Sequence, residues 1–429
     1  MSLFRTPKQR LNLTLAIVIV AFAFLSARLV KIQIIDGEKY SDMAVVQQTK
    51  DIPIPAQRGE ILDRNLKKLA VNMTLYNIWA DTNRITSPET SSKLISDILE
   101  SDPQEMHDKI SSGAGLISIG KWVDKEKVEE ISSLNLEGVW HTEVEKRYYP
   151  LDDLGAFVIG HTTDDNRGLA GVELELNRYL TGLSGRWIRN TDVFGRQLPF
   201  GTDKYYGAQD GLNVILTIDE VMQYYTEQVI EKGLKDLKAK RIMAIMMDPR
   251  TGDILSMAAY PDYNPNSPRI PVDESQLIEY QGLEDVEKQA YWNKLWRNPI
   301  VSDTYEPGST FKLITAAMSL EENVARPDTL FYATGSINVA GQNIRCWRYY
   351  RPHGEQTLTQ ALENSCNPVF VELSQKLGKE KFYKYLEAFG FGGKTGIELP
   401  GESGGLTIPI GKAGPVELAT MSFGHGLSI

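Results

Sequence analysis

The pattern of apolar and polar positions begins with a long hydrophobic run near the N-terminus. Over residues 11–35 polar residues are few, and the run reaches the roughly 20 residues that a bilayer span needs. Three basic residues precede it, and the chain has no acidic residue before Asp36. Such a distribution favours a cytoplasmic N-terminus. The pattern predicts a transmembrane helix over 11–35 preceded by a cytoplasmic tail, residues 1–10.

A cleaved signal peptide would give a similar hydrophobic profile. However, the apolar stretch is long for a signal peptide, and no small-x-small cleavage site follows it. We therefore prefer an uncleaved single-pass anchor in the cytoplasmic membrane. Everything after about residue 36 is then expected to lie outside that membrane.

After the hydrophobic run, strand-like and helix-like patterns follow one another. Residues 84–140 are polar with a helical period, which is typical of a helical module inserted into a β framework. A Gly- and Asp-rich stretch at 195–211 indicates a linker. We predict that residues 36–205 form an elongated, mainly-β domain carrying this module.

A second domain is predicted over residues 206–429. It starts with a strand near 213–217 and a helix over 219–238 that carries one apolar stripe. Two apolar strands, 241–247 and 253–259, are joined by a turn that contains Asp, Pro and Gly. A hairpin followed mostly by helices indicates an antiparallel sheet with helices, so the predicted fold class is α+β.

Composition narrows the choice of partners and cofactors. The 429 residues carry 46 Lys+Arg against 56 Asp+Glu, a net charge of −10, so nucleic acid is not expected as a partner. The chain has two Cys and five scattered His residues, with no His pair at ligand spacing. We therefore expect neither a zinc site nor a disulfide scaffold.

The first chemical candidate is Ser309 followed by Lys312, where Pro307-Gly308 leads into a nearly all-apolar helix. Ser309 falls in the first turn, and Lys312 lies one turn on, on the same face. A helix N-terminus suits a developing oxyanion, and burial of the lysine would lower its pKa so that a neutral amine accepts the serine proton. The alternative is an N-cap serine with a solvated lysine. That alternative does not explain a lysine inside an apolar run.

The second candidate is Ser365 with Asn367, on a turn between helix-like stretches at 358–363 and 369–377. A hydroxyl and an amide two positions apart on a tight turn can both face one cleft. There the serine can relay a proton, and the asparagine can hold a substrate amide. The alternative is two ordinary loop residues, because Ser-x-Asn is a common triplet.

Two further pattern matches are not expected to be catalytic. Ser118 and Lys121 repeat the Ser-x-x-Lys spacing in what reads as a polar helix-turn. Lys394-Thr395-Gly396 would have to lie on a strand that lines the cleft. Its surroundings, residues 390–405, hold seven Gly and one Pro, which predicts a loop.

Several longer motifs, in this order, resemble those of class B penicillin-binding proteins, the monofunctional transpeptidases. The two candidate pairs add to this resemblance through their order and their spacing, with Ser309 and Ser365 fifty-six positions apart. The resemblance runs from the hydrophobic segment to the last residue. The longer matches are Arg58-Gly59-Glu60-Ile-Leu-Asp63-Arg64-Asn65, Arg147-Tyr-Tyr-Pro150, Gly168-Leu-Ala-Gly171-Val-Glu173, and Leu216-Thr-Ile-Asp219 with Gln223.

The resemblance implies a periplasmic or extracellular D,D-transpeptidase with a penicillin-binding fold that cross-links peptidoglycan. On that basis Ser309 attacks the D-Ala-D-Ala carbonyl of a stem peptide, and Lys312 is the base for acylation. Ser365 and Asn367 shuttle protons and orient the donor, while β-lactams acylate the same serine. No metal or organic cofactor is implied. The expected partners are stem peptides, β-lactams, the cytoplasmic membrane, and a membrane glycan polymerase or a division, elongation or sporulation complex.

In the family, the third catalytic motif follows a Gly-rich stretch like residues 422–427, and this sequence stops at Ile429. The family pattern has a non-catalytic loop at the place of Lys394-Thr395-Gly396. We therefore expect the 429-residue chain to be acylated slowly or not at all, because losing one oxyanion donor alone costs about 10²–10³ in rate. Labelling by fluorescent penicillin at the rate of a full-length protein would contradict this expectation.

The two cysteines adjoin the second candidate pair. Cys366 lies between Ser365 and Asn367, and Cys346 lies twenty positions earlier. In an oxidising, exported location they could close a disulfide that clamps the second motif and switches activity. The alternative is two buried, inert thiols. Some sporulation-type members of the family look similar, which adds spore-cortex synthesis to the roles considered.

Two other functions are compatible with parts of the sequence. A β-lactamase or a β-lactam sensor can carry Ser-Thr-Phe-Lys, but such proteins lack the signature at residues 58–65. The second is a non-catalytic scaffold, in which the membrane segment and residues 36–200 dock and activate a membrane glycan polymerase.

Overall fold

The structure is a computed structural model that describes residues 7–40, 43, 49–191 and 203–429. Within these ranges it combines helices and several small sheets, which confirms the predicted α+β class.

The N-terminal hydrophobic run is helical throughout. The helix Pro7–Val30 continues as one π-helical turn, Lys31–Ile35. In the part of the chain that the structure describes, Leu11–Ile35 is the one helical stretch long and apolar enough to cross a membrane. It coincides with the predicted span. Of the predicted tail, residues 1–6 lie outside the described residues, and the helix already includes residues 7–10.

The remaining elements are distributed along the whole described chain. The further helices are Pro88–Leu99, Pro103–Ser111, Lys125–Ser133, Ala156–Ile159, Gly171–Glu175, Asn177–Leu180, Glu220–Leu237, Glu274–Gln281, Asp285–Leu295, Pro299–Ser302, the 3₁₀ turn Gly308–Phe311, Lys312–Glu321, Leu358–Glu363, Asn367–Leu377, Lys379–Ala388 and Pro415–Met421. The strands are β1 Thr49–Ile54, β2 Ile61–Leu62, β3 Lys68–Asp81, β4 Leu116–Val123, β5 Val139–Tyr148, β6 Gly185–Asn190, β7 Lys204–Tyr206, β8 Val214–Ile215, β9 Ile242–Met247, β10 Ile254–Tyr260, β11 Leu330–Ala333, β12 Ser336–Val339, β13 Gln342–Arg345 and β14 Gly354–Thr357.

Residues 1–59 and 179–213 form one of two compact units. In its described part, β6 pairs antiparallel with both β1 and β7. Gly59 donates its N–H to the Leu180 carbonyl, and a Cβ on Gly59 would lie 1.9 Å from the Leu212 carbonyl oxygen. Only glycine allows this close approach of two chain segments.

Residues 60–178 and 214–429 form the second unit. Its largest sheet has the order β4-β3-β2-β8, and β5 also pairs with the long β3. The strands are antiparallel except for the short parallel pair of β2 with β8. Three helices between β3 and β5 pack on this sheet through a buried apolar cluster that includes Ile78, Ile95 and Met106. These helices fall within the range predicted for the inserted module.

Two local predictions are wrong. Ser118 and Lys121 lie on the strand β4 and not on a helix-turn. Residues three apart on a strand point to opposite faces, so this pair cannot act together. The predicted linker at 195–211 contains β7, which pairs with β6, while residues 195–202 lie outside the described residues.

A buried ion pair joins two of the motifs that carry the family resemblance. Arg147 Nε donates to Glu173 Oε1 at 2.6 Å, and the exposed fractions of the two side chains are 1% and 0%. Arg147 Nη1 also donates to Asn72 Oδ1 at 3.0 Å. Because arginine remains charged in proteins, its burial requires a partner such as this carboxylate.

The helix Glu220–Leu237 packs on the antiparallel hairpin of β9 and β10. Asp219 caps the helix by accepting two backbone N–H groups of its first turn. Gln223 exchanges two hydrogen bonds with the backbone of Met257 in β10, at 2.9 and 2.8 Å. The motif residues Asp219 and Gln223 thus fix the helix against the sheet.

Candidate active site

Ser309 lies in a 3₁₀ turn, Gly308–Phe311, that leads directly into the helix beginning at Lys312. The turn is held by the Gly-rich segment near the end of the chain. Gly308 donates its N–H to the Gly424 carbonyl at 3.0 Å. A Cβ on Gly424 would lie 2.1 Å from the Gly308 oxygen, and both glycines have positive φ. Glycine at 424 is therefore required, and this role was not foreseen from the sequence.

Lys312 is fully buried, and its Nζ hydrogen-bonds to four neutral oxygen atoms. These are Ser309 Oγ at 3.2 Å, the Ser365 carbonyl oxygen at 2.8 Å, Ser365 Oγ at 2.9 Å and Asn367 Oδ1 at 2.6 Å. The structure therefore brings together all four predicted site residues, from two segments more than fifty positions apart.

Burial lowers the pKa of Lys312 to about 8, although the nearby thiols of Cys346 and Cys366 act in the opposite direction. A neutral amine has two N–H donors and one lone pair. If the two N–H groups donate to the Ser365 carbonyl and to Asn367 Oδ1, the lone pair can accept a hydrogen bond from one of the two hydroxyl groups. The site is thus built to hold an amine that can accept a proton from Ser309.

Ser365 and Asn367 occupy the turn between the helices Leu358–Glu363 and Asn367–Leu377. Ser365 has a φ of 49°, the left-handed conformation that costs a residue with a side chain about 1–2 kcal/mol. In this conformation its Oγ donates to Ser309 Oγ at 3.0 Å. Asn367 Nδ2 donates to the Arg345 carbonyl at 3.1 Å, which fixes the orientation of the amide.

The three polar atoms of Ser309, Lys312 and Ser365 form a triangle with sides of 3.2, 2.9 and 3.0 Å. Ser309 is exposed, whereas the lysine is buried behind it. An accessible hydroxyl backed by a buried amine and a second hydroxyl can be deprotonated, attack a carbonyl and pass a proton onward. This is the chemistry of an acyl transfer through a serine ester.

Lys394-Thr395-Gly396 lies in a segment without helix or strand, as its glycine content predicts. Glu402 holds this loop: it accepts hydrogen bonds from the Thr395 N–H at 2.6 Å, the Thr395 hydroxyl at 2.5 Å and the Gly396 N–H at 3.3 Å. These bonds account for the threonine and the glycine without any catalytic role.

Cys346 and Cys366 are both buried and are not bonded to each other. Their sulfur atoms and a ring nitrogen of His353 all lie within 4.8 Å of one another. Composition and His spacing did not predict this cluster, because folding joins residues that no short motif connects. Burial and, to a smaller extent, the neighbouring Cys346 raise the pKa of the Cys366 thiol to about 11.

Two family models match this chain: the penicillin-binding protein dimerisation domain over residues 53–216 and the penicillin-binding protein transpeptidase domain over residues 242–429. The chain is also 36% identical to stage V sporulation protein D of Bacillus subtilis (strain 168), over 99% of this chain and 63% of that protein. The chain belongs to the class B penicillin-binding proteins. It is 28% identical to the peptidoglycan D,D-transpeptidase FtsI of Escherichia coli (strain K12), over 98% of this chain and 68% of that protein.

Solved structures confirm the fold of this penicillin-binding protein. A peptidoglycan synthetase from Bifidobacterium adolescentis ATCC 15703 matches with a TM-score of 0.64 and 26% identity, over 89% of this chain and 70% of that one. PBP2 in its complex with MreC from Helicobacter pylori matches with a TM-score of 0.69 and 21% identity, over 89% and 74%, which shows the fold alone.

The chain spans 63% of the length of its sporulation relative. Family membership and the N-terminal apolar helix together indicate a single-pass membrane protein.

Proposed function

We propose that this penicillin-binding protein is a serine-type peptidoglycan D,D-transpeptidase with Ser309 as its nucleophile. The observation that carries the proposal is the buried Lys312 amine, within hydrogen-bond distance of Ser309, Ser365 and Asn367. The transpeptidase family model and the D,D-transpeptidases among the relatives support the reaction class.

In the proposed acylation, neutral Lys312 takes the proton of Ser309 as the serine oxygen attacks the carbonyl of the penultimate D-Ala. The new bond joins Ser309 Oγ to that carbonyl carbon, and the C–N bond to the terminal D-Ala breaks. Ser365 relays the proton to the departing nitrogen, which leaves as a neutral amine. Asn367 holds the donor amide. An amine of a second stem peptide then attacks the ester carbonyl. The ester C–O bond breaks, a proton of the amine returns to Ser309 Oγ by way of Lys312 and Ser365, and the new amide is the cross-link. A β-lactam acylates the same Ser309.

The test is replacement of Ser309 by alanine in the product of the complete gene, with fluorescent penicillin and intact-protein mass as readouts. We expect no covalent adduct in Ser309→Ala. The matched control is Ser118→Ala, which removes the serine of the other Ser-x-x-Lys sequence and should be labelled at the wild-type rate. An adduct of undiminished rate in Ser309→Ala would overturn the assignment of the nucleophile.

The same variant tests the non-catalytic scaffold. If cells that carry only Ser309→Ala keep normal growth and normal cross-linking, the protein acts as a scaffold for a glycan polymerase. Loss of cross-linking with normal localisation would support the enzyme.

We further propose that the N-terminus is cytoplasmic and that the folded part lies outside the membrane, because basic residues precede the apolar helix. The Helicobacter neighbour was solved in complex with MreC, so we propose a membrane assembly partner, such as a glycan polymerase or a division, elongation or sporulation complex, here too. Protease protection of tags at the two ends in sealed spheroplasts checks the orientation. Protection of both tags would contradict it.

Finally, we propose that Cys346 and Cys366 can form a disulfide by exchange with an external disulfide, which is reduced to a dithiol. The sulfurs are close enough for small movements to join them, and the bond would clamp the turn that carries Ser365 and Asn367. Thiol counting on protein purified without reductant checks this. Two reactive thiols under oxidising conditions would exclude the switch.

A further inference from the structure

A cluster of two thiols and one imidazole lies behind the turn that carries Ser365 and Asn367. Cys346 and Cys366 are 2% and 0% exposed, and one nitrogen of His353, Nδ1, lies 3.8 Å from the Cys346 sulfur. All three ligand atoms lie within 4.8 Å of one another. In a tetrahedral zinc site, bonds of about 2.3 Å to sulfur and about 2.0–2.1 Å to nitrogen place the ligand atoms somewhat under 4 Å apart. Shifts of about 1 Å or less would therefore close the cluster around an ion.

The His353 ring belongs to the cluster, and the Gln356 amide lies beside it. His353 Nε2 is buried and, within the described part of the chain, has no hydrogen-bond partner. An orphaned atom of this kind is rare in native proteins and often marks an ion or a water. The Gln356 side chain is a hydrogen-bond partner of the Cys366 sulfur. A thiolate at Cys366 would accept the Gln356 N–H more strongly than a thiol does, and a metal ligand at His353 would use one of the ring nitrogens.

From this geometry we propose that Cys346, His353 and Cys366 bind a zinc ion when both cysteines are reduced. Binding releases two protons, because each thiol coordinates as a thiolate. Two thiolates and Zn²⁺ give a site with no net charge, which suits a buried position near the Lys312 amine. Sulfur and imidazole ligands exclude Mg²⁺ and Ca²⁺, which take oxygen. The fourth position is left for water or another small ligand.

The ligands come from two segments beside the proposed active site, the loop between β13 and β14 and the turn before the helix Asn367–Leu377. Cys346 follows β13, His353 precedes β14, and Cys366 immediately precedes the helix Asn367–Leu377. Zinc would tie these segments together next to the bond from Asn367 Nδ2 to the Arg345 carbonyl. Zinc thus orders the turn with Ser365 and Asn367 in the reduced protein, and a disulfide between the same cysteines would exclude it.

The experiment uses the 429-residue chain in detergent, purified without oxygen and kept reduced with a phosphine. Zinc content is measured after gel filtration, affinity by competition with a chelator, and coordination by the absorption of the Co²⁺ form. We expect about one zinc per chain, and thiolate-to-cobalt charge transfer with tetrahedral d–d bands. Cys346→Ser, Cys366→Ser and His353→Asn should each weaken zinc binding by more than about 100-fold, since loss of even an outer-shell partner costs 10–100-fold.

The matched control is His141→Asn, which removes an exposed histidine on β5 and should keep full zinc binding. Thermal unfolding of each variant without metal identifies any that fail to fold. Reduced wild-type protein with two titratable thiols but no bound zinc would overturn the proposal. So would wild-type affinity in His353→Asn, or equal zinc binding by the oxidised protein without free thiols. These readouts do not depend on transpeptidase activity.

Discussion

Arg147 and Lys312 are both buried basic side chains, but the polar groups around them differ in charge. Arg147 is paired with the buried carboxylate of Glu173 at 2.6 Å. Lys312 meets neutral oxygen atoms, and burial lowers its pKa to about 8. An arginine cannot lose its proton, so the first site must supply a counter-charge and becomes structural. A lysine can lose its proton, so the second site can store a base.

Of the variants that test this difference, Lys312→Met should have the largest effect. We expect the acylation rate to fall by about 10²–10⁴, the usual contribution of a positioned general base. The free energy of unfolding at pH 7 should stay the same or increase, because the variant removes a buried cation that pairs with no carboxylate in the described part of the chain. Stopped-flow acylation and denaturant unfolding of the complete gene product measure the two effects.

The control for this variant is Lys121→Met, which removes a lysine on β4 from the other Ser-x-x-Lys sequence. It should leave both quantities unchanged. If Lys312→Met retained the wild-type acylation rate, the base would have to be another group, and the contrast with Arg147 would lose its chemical meaning.

Replacing Arg147 with methionine should have the next largest effect, on stability. It removes the arginine of a buried ion pair, and breaking such a pair by removing one partner costs about 3–5 kcal/mol of unfolding free energy. The double variant Arg147→Met/Glu173→Leu should recover most of that loss. Acylation per folded molecule should not change in either variant. A loss of less than about 1 kcal/mol in the single variant would mean that the ion pair does not hold this part of the fold.

The pH dependence sharpens the assignment of Lys312. The acylation rate should rise about tenfold per pH unit below pH 8 and level off above it, because only the neutral amine is a base. The same pKa also predicts how the stability depends on pH. Lys312 has a pKa of about 8 in the folded protein and an ordinary pKa of 10.5 in the unfolded chain, so the unfolded chain binds the proton more tightly between these values. Unfolding free energy should therefore rise from pH 8 to pH 10.5 in the wild type and lose this component in Lys312→Met. Equal slopes in the two proteins would contradict the low pKa.

The smallest expected effect is on the pH dependence of stability and comes from a buried acid, Glu227. Burial raises its pKa to about 7 from an ordinary 4.5, while N–H donors from Gln223 and Gly155 act in the opposite direction. The folded protein therefore binds this proton more tightly. The stabilising contribution is complete below pH 4.5 and is lost as the pH rises through 7. Glu227→Gln should flatten the unfolding free energy between these values, and an unchanged slope would argue against the raised pKa.

Local pattern was sufficient to predict many elements of the fold. The helix over 219–238 and the strands 241–247 and 253–259 correspond closely to Glu220–Leu237, Ile242–Met247 and Ile254–Tyr260. Their periodicity and turn residues act over a few positions, which is the range a pattern can report. The strand at Ser118 was misread because its sequence, LISIGKWV, does not alternate strictly between apolar and polar residues, and pairing with β3 decides its conformation.

The candidate site was predictable in its residues but not in its geometry. Ser309 with Lys312 and Ser365 with Asn367 stand out as two short motifs. That both face one amine, at distances of 2.6 to 3.2 Å, follows from contacts across more than fifty positions. His353 had no sequence signal beyond its place seven positions after Cys346, so composition led to the opposite expectation about a ligand cluster.

The sequence by itself determined the membrane-length apolar helix, the α+β class and the two pairs of polar residues, because hydrophobic period, turn chemistry and motif spacing are local properties. Only the tertiary structure decided that the buried Lys312 amine meets neutral oxygen atoms, that Gly424 must lack a side chain, and that Cys346, His353 and Cys366 meet. Desolvation, close backbone approach and ligand distances all depend on which distant segments pack together, and no short stretch of sequence contains that information.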